Sequence, residues 1–338
     1  MERKNNFDFL RLIFATLVIV SHSYPLTGFK EPLVEITDGQ ISIGNLSVDI
    51  FFIMSGFLII NSLKYSKTPQ NYLWKRVLRL FPALFVVLVL TLILTFALYT
   101  GANLLHEKTF WSYLPNNLSL YFVQYKINHV FEDNIFPGYI NGSLWSLSYE
   151  FTMYIFILLL FPIKNYKLLG FFVLGAFLIS YYSILFRPNL LSNIFSAIQL
   201  QSPKFYRLST YFLAGSLLTF INLKKLNTPL IKISLLVLII LSLLFNVYSQ
   251  TSYLFLPLLT ILVGLSYSGF LNIIPQKIGD ISYGMYIYGF PVQQTLMHFL
   301  NLTPIQLMVM SIPVAAVFSY FSWTFIEKKC MNLKSVIK

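Results

Sequence analysis

Cysteine and histidine are nearly missing from this chain, with one Cys and four His in 338 residues. Cys330 lies alone in the basic C-terminal tail, so no internal disulfide and no thiolate metal cluster can form. His22, His106, His129 and His298 follow neither helical nor zinc-like spacing, which argues against a metal site. Charge is scarce as well: Asp, Glu, Lys and Arg make up 11% of the chain, and only 12 residues are acidic. There is no Pro/Gly/Ser-rich linker, low-complexity run or convincing internal repeat. The first apolar run leads into "SHSYPLTG", which lacks a small-x-small cleavage site, and Arg11 interrupts it. It reads as a membrane span and not as a signal peptide.

What is present is apolar. At 57% hydrophobic residues and a mean hydropathy of +0.70, the chain has too little polar surface to cover a soluble fold of this size. The expectation is an all-α polytopic membrane protein with residues 1–338 as a single domain. Apolar stretches near 8–25, 46–63, 81–100, 143–162, 168–186, 206–222, 229–247, 251–271, 281–300 and 305–325 give about ten transmembrane helices. Placing the N-terminus inside puts seventeen basic residues on the cytoplasmic side. Six fall outside, namely Lys30, Lys108, Lys126, Arg187, Lys204 and Arg207. By the positive-inside rule both termini are then cytoplasmic. The net charge of +12 follows from this bias and from attraction to anionic lipid, and is not read as nucleic-acid binding. The outer loop, residues 101–142, is aromatic-rich and irregular. It suits an interfacial aromatic belt or a lid over the membrane surface that stacks on sugar rings.

Polar side chains inside such spans cost at least a few kcal/mol, so each calls for a reason. In "FDFLRLIFATLVIVSHSYP", Arg11 and His22 are eleven residues apart, three turns plus roughly 20°, and share one helix face about 16 Å apart. The plain readings are a snorkelling arginine paired with Asp8 and an interfacial histidine, but neither accounts for the shared face. In "LWKRVLRLFPALF", Arg76 and Arg79 are helical neighbours that suit phosphate, or else ordinary positive-inside flanking. In "GSLWSLSYEFTMY", Glu150 lies about 10 Å inside its span with Ser146 one turn above it. A carboxylate there faces a cavity or pairs with a basic group to fix packing. "SVDIFFIMSGFLII" carries Asp49 at the outer start of its span, and Ser55 and Gly56, which suit close helix approach.

These stretches, with "DISYGMYIYGFPVQQ", occur in the order seen in membrane-bound acyltransferase family 3, which the chain resembles over essentially its whole length. That family comprises transmembrane O-acyltransferases of bacterial surface polysaccharides. The resemblance implies that Arg11 and His22 are an essential pair, that Arg76 and Arg79 handle acyl-CoA, and that Glu150 is the carboxylate of the W-S-L-x-x-E motif. Two departures stand out: Met153-Tyr154 where many relatives carry Phe-Tyr, and Gly289 where many carry a histidine before the proline.

Acyl transfer to a hydroxyl needs a base, and a histidine with a pKa near 6.5 suits it. His22 is therefore expected to take the acceptor's proton, with Glu150 holding the imidazole in the useful tautomer. Arg11, Arg76 and Arg79 would bind the donor, acetyl-CoA or another acyl-CoA, from the cytoplasmic side. Trp145, Ser146 and Tyr149 would contact a saccharide acceptor. No metal is expected, and the location implied is the bacterial cytoplasmic (inner) membrane. The competing reading is a transporter or flippase for a polysaccharide precursor that uses Arg11, His22 and Glu150 as a relay. A structural subunit of an export complex is a third.

Overall fold

In the computed structural model, residues 5–337 are described; Arg3, Lys4 and Lys338, which enter the basic-residue asymmetry, lie outside them. The architecture is all-α. The helices are α1 (Phe7–Leu26), α2 (Pro32–Ile36), α3 (Ile43–Tyr65), α4 (Pro69–Leu98), α5 (Lys108–Leu118), α6 (Trp145–Leu159), α7 (Tyr166–Phe186), α8 (Ser192–Ala197), α9 (Ser202–Leu217), α10 (Pro229–Leu244), α11 (Tyr248–Leu265), α12 (Ile273–Ile278), α13 (Ser282–Phe299), α14 (Pro304–Ser322) and α15 (Lys328–Met331). Among the described residues there is no strand, only one isolated bridge between Lys126 and Tyr139.

Each of the ten apolar stretches lies on a helix, but six helices are long and apolar enough to cross a membrane unaided. Of the other four, α6, α9 and α10 have 15, 16 and 16 residues. At 1.5 Å per residue they fall several ångströms short of a hydrocarbon core of about 30 Å. Helix α13 is long enough at 18 residues but carries Gln293 and Gln294, both fully buried inside the bundle. Helix α4 starts well before the apolar stretch at 81, because Thr68 caps it by accepting from Asn71 N at 3.1 Å and Pro69 occupies the first turn. The RxxR pair consequently sits within the same 30-residue helix as the apolar stretch it precedes.

Two seams hold the bundle. Helices α3 and α9 cross so closely that a Cβ on Gly56 would strike the Phe212 carbonyl, and one on Gly215 would strike the Ile53 carbonyl. Ser216 Oγ donates across this crossing to Gly56 O at 3.1 Å. Helix α13 packs between α1 and α14, with Gly289 against Ile19 and Gly284 against Ser319. A histidine at 289 has no room here, which is the physical content of that departure from the family pattern.

The two ends of the bundle differ. One gathers both described chain ends: Asn6 N donates to Gly264 O at 2.8 Å, Trp74 Nε1 to Leu333 O at 3.0 Å, and Asn71 Nδ2 to Ile337 O at 2.5 Å. The other is covered by residues 101–142, stitched to α13 by Asn134 with Gln294 at 2.9 Å and Asn141 with Ile287 O at 2.9 Å.

Candidate active site

A cavity of about 860 Å³ lies between α1, α3, α4, α6 and α13 and reaches the C-terminal tail at Lys334. Its walls bring together Arg11, Arg76, Arg79, Ser146 and Glu150 from three helices, α1, α4 and α6, with Asp280 beside them. Arg11 Nη1 is 3.4 Å from Asp8 Oδ1 and 3.8 Å from Asp280 Oδ2, and Arg79 Nη2 donates to that same Oδ2 at 2.8 Å. Arg76 takes a different course: its Nη2 donates to Ser62 Oγ at 3.2 Å, while its guanidinium lies 5.9 and 5.7 Å from the ring centres of Tyr72 and Tyr154. The two arginines thus line one cavity without forming a single fork. In the loop ahead of α13, burial works against charge on Asp280, but Arg79 and Arg11 outweigh it and hold the carboxyl at about 2.

Glu150 accepts from the Tyr154 hydroxyl and from Ser55 Oγ, the latter at 3.2 Å. Ser55 therefore turns into the cavity, and Gly56 alone of that pair makes the close helix crossing. No hydrogen bond or ion pair joins Glu150 to His22; the carboxylate that sequence reasoning assigned to the imidazole is engaged with a phenol and a hydroxyl instead.

His22 lies beyond the cavity's end. Its ring meets Phe290 edge-on, centroids 5.1 Å apart, and its Nδ1 is buried with no hydrogen-bond partner in the protein. Tyr286, one turn before Phe290 on α13, lines the cavity. It donates to Ser143 O at 2.8 Å and pairs with Ser146 Oγ at 2.6 Å, and Phe51 closes on it with centroids 6.0 Å apart. Tyr286 on the cavity wall thus stands one helical turn along α13 from Phe290, the ring that His22 meets. On α1 the two residues between Arg11 and His22 on the shared face, Ala15 and Val18, are buried.

Trp145 and Tyr149 do not line this cavity; they face α9. Lys204 Nζ lies 4.9 Å from the Trp145 ring centre, and Gln201 N donates to the Tyr149 hydroxyl at 2.8 Å. Of the three residues assigned to the acceptor, only Ser146 shares the cavity. Sequence reasoning passed over Asp280, Tyr286 and the hydrogen bonding of Tyr154, although all three stand in stretches it singled out. Neither charge nor spacing marks which tyrosine of "SYGMYIY" turns inward. Among the described residues no group of three or more His, Cys, Asp or Glu is placed to hold a metal ion.

Comparison with known proteins bears on this arrangement. Residues 4–326 match the acyltransferase domain family. The O-acetyl transferase of Shigella phage Sf6 is 29% identical over 99% of this chain and 98% of its own length. Nodulation protein 10 of Rhizobium leguminosarum bv. viciae is 31% identical over 49% of this chain and 47% of its own. No solved structure matches. Because the family match runs from ahead of Arg11 into the π-turn after α14 and takes in nearly every wall of the cavity, this multi-pass membrane chain belongs to the acyltransferase family.

Proposed function

We propose that the protein transfers an acyl group, acetyl in the first instance, from acyl-CoA to a hydroxyl of a surface polysaccharide or its lipid-linked precursor at the bacterial cytoplasmic membrane. The observation that carries this reading is the single cavity that collects Arg11, Arg76 and Arg79 at the end of the bundle where the chain termini gather. Guanidinium groups converging on one space suit phosphate, and the Arg76 and Arg79 heads come from adjacent turns of one rigid helix. The full-length likeness to an O-acetyl transferase supports acetyl as the group moved.

In this mechanism the nucleotide stays with the arginines and the acyl-pantetheine arm extends along α1. It passes Glu150 and the Ser146–Tyr286 contact toward His22. The imidazole takes the proton of the acceptor hydroxyl as its oxygen attacks the thioester carbonyl. The carbon–sulfur bond then breaks, and the imidazolium returns the proton to the departing thiolate. Tyr286 and Phe290 stand one turn apart on α13, so in this reading the arm passes the Ser146–Tyr286 contact before it meets His22. Glu150, held against Tyr154 and Ser55, lines the passage where the thioester travels.

Mass analysis of surface polysaccharide from cells with and without the gene tests the reading. The expected result is loss of one acyl increment with the polymer still exported. Loss of export with acylation intact would instead support a transporter.

A further inference from the structure

Three carboxylates line the cavity, Asp8, Glu150 and Asp280, and of these Asp280 alone is set between two of its arginines. We propose that Asp280 is a positioning residue of the donor site: it ties Arg11 of α1 to Arg79 of α4 and aims their remaining N–H groups at the donor's phosphates. The proposal rests on the acyl-CoA reading above.

Both oxygens of Asp280 are committed. Oδ1 accepts from Ser282 Oγ at 2.5 Å, which fixes the carboxylate to the first residue of α13. Oδ2 faces Arg79 Nη2 at 2.8 Å and Arg11 Nη1 at 3.8 Å. The residue before it, Gly279, has a φ of +82° and gives its Cβ space to the Trp323 indole, so a side chain there would displace Asp280. One carboxylate therefore joins α1, α4 and α13 at a fixed point.

The alternative is an ion pair that merely fixes helix packing. Against it, all three side chains stand on the cavity wall and keep a share of their surface open, 25% for Arg11, 19% for Arg79 and 17% for Asp280. A guanidinium has five N–H groups in a planar fork; Arg79 commits Nη2 to Asp280, and Arg11 commits Nη1, 3.8 Å from Asp280, to Asp8 at 3.4 Å, so each fork has further N–H groups to offer a ligand. Without the carboxylate, two neighbouring cations would repel and each long side chain would regain its rotamers. Arg76, held separately by Ser62, would remain.

The sign of the effect makes the proposal testable. Asp280→Asn removes a negative charge from an anion site, so simple electrostatics expects tighter donor binding. A positioning role expects the reverse: weaker binding by about tenfold, the size of one lost charge-assisted contact. The experiment measures acetyl-CoA binding to detergent-purified wild type, Asp280→Asn and Asp280→Glu, together with KM, kcat and thermal midpoint.

The expected result is a raised Kd and KM for Asp280→Asn with kcat nearly retained, and partial recovery in Asp280→Glu, which keeps a carboxylate within reach of Arg79. An unchanged or tighter Kd in Asp280→Asn overturns the proposal while leaving the donor reading intact. Equal loss of kcat, binding and thermal midpoint in both variants assigns Asp280 to packing alone and also overturns it. Failure of wild type to bind acetyl-CoA removes the donor reading and this proposal with it.

Discussion

At the residue scale, the separation of His22 from the arginine cavity divides the chemistry into parts that mutations should separate. His22→Ala removes the proposed base but touches no donor wall, so acyl-CoA affinity should hold while transfer falls by roughly 10²–10⁴-fold. Arg76→Ala and Arg79→Ala together should weaken donor binding with the fold kept, read by binding isotherms and circular dichroism. Transfer at the wild-type rate in His22→Ala would end the catalytic assignment. A second residue-level expectation concerns acid. Asp280 is held at about 2, below its unfolded value, so its contribution to stability is fully present above about pH 4 and is lost as pH falls toward 2. Asp280→Asn should therefore flatten that part of a melting-temperature profile taken in detergent between pH 5 and 2.5, and an identical slope in both proteins would remove the linkage. Sequence singled out Arg11, Arg76, Arg79, Ser146 and Glu150, and all five line one cavity, but it grouped Ser146 and Glu150 with His22 on the outer side, apart from the arginines. Partner choice was not legible in it. Glu150 bonds Tyr154 four residues along its own helix, and Asp280 reaches Arg79 from 201 positions away. Spacing along one helix fixes a face, but which group meets it from the next helix depends on crossing geometry that no local pattern encodes.

At the element scale, each apolar stretch located a helix of fifteen or more residues among those described, because their sequences are dominated by lipid-facing and core-facing apolar residues alike. Boundaries moved where capping chemistry overrode hydropathy, as Thr68 and Pro69 do for α4. The π-turn at Trp323–Glu327, which buries Glu327 against Ser322 at 3.0 Å, has no hydropathy signal at all. The α3–α9 seam offers a test of packing free of the chemistry. Gly56→Ala or Gly215→Ala forces a Cβ into the facing backbone, and backbone cannot yield as a side chain tip can. Each should cost about 1–3 kcal/mol or more, lowering the thermal midpoint in detergent. Gly175 on α7 has open space around its Cβ position, so Gly175→Ala should leave the midpoint unchanged or slightly raised by helix propensity. A drop at 175 as large as at 56 would mean that glycine content itself, and not the crossing, governs stability.

At the scale of the whole molecule, the mechanism stands or falls with which end of the bundle faces the cytoplasm, since acyl-CoA is supplied there. The arginine cavity extends to Lys334 of the tail, at the end where Asn6, Gly264, Leu333 and Ile337 meet. The segment 101–142 covers the opposite end, tied to α13 through Asn134 and Asn141. In the proposed orientation the cavity end is the cytoplasmic one, on the bias of basic residues in the sequence and the positive-inside rule. Two cysteines can report this in intact cells. Asp133 is exposed on the covering segment, and native Cys330 is partly exposed on α15 near the tail. A membrane-impermeant maleimide should label Asp133→Cys in a Cys330→Ser background without permeabilisation, and should label native Cys330 only after the membrane is opened. The reverse pattern would put the arginines outside, where no acyl-CoA is available to fill them, and would leave His22 facing the donor's compartment in place of the acceptor's.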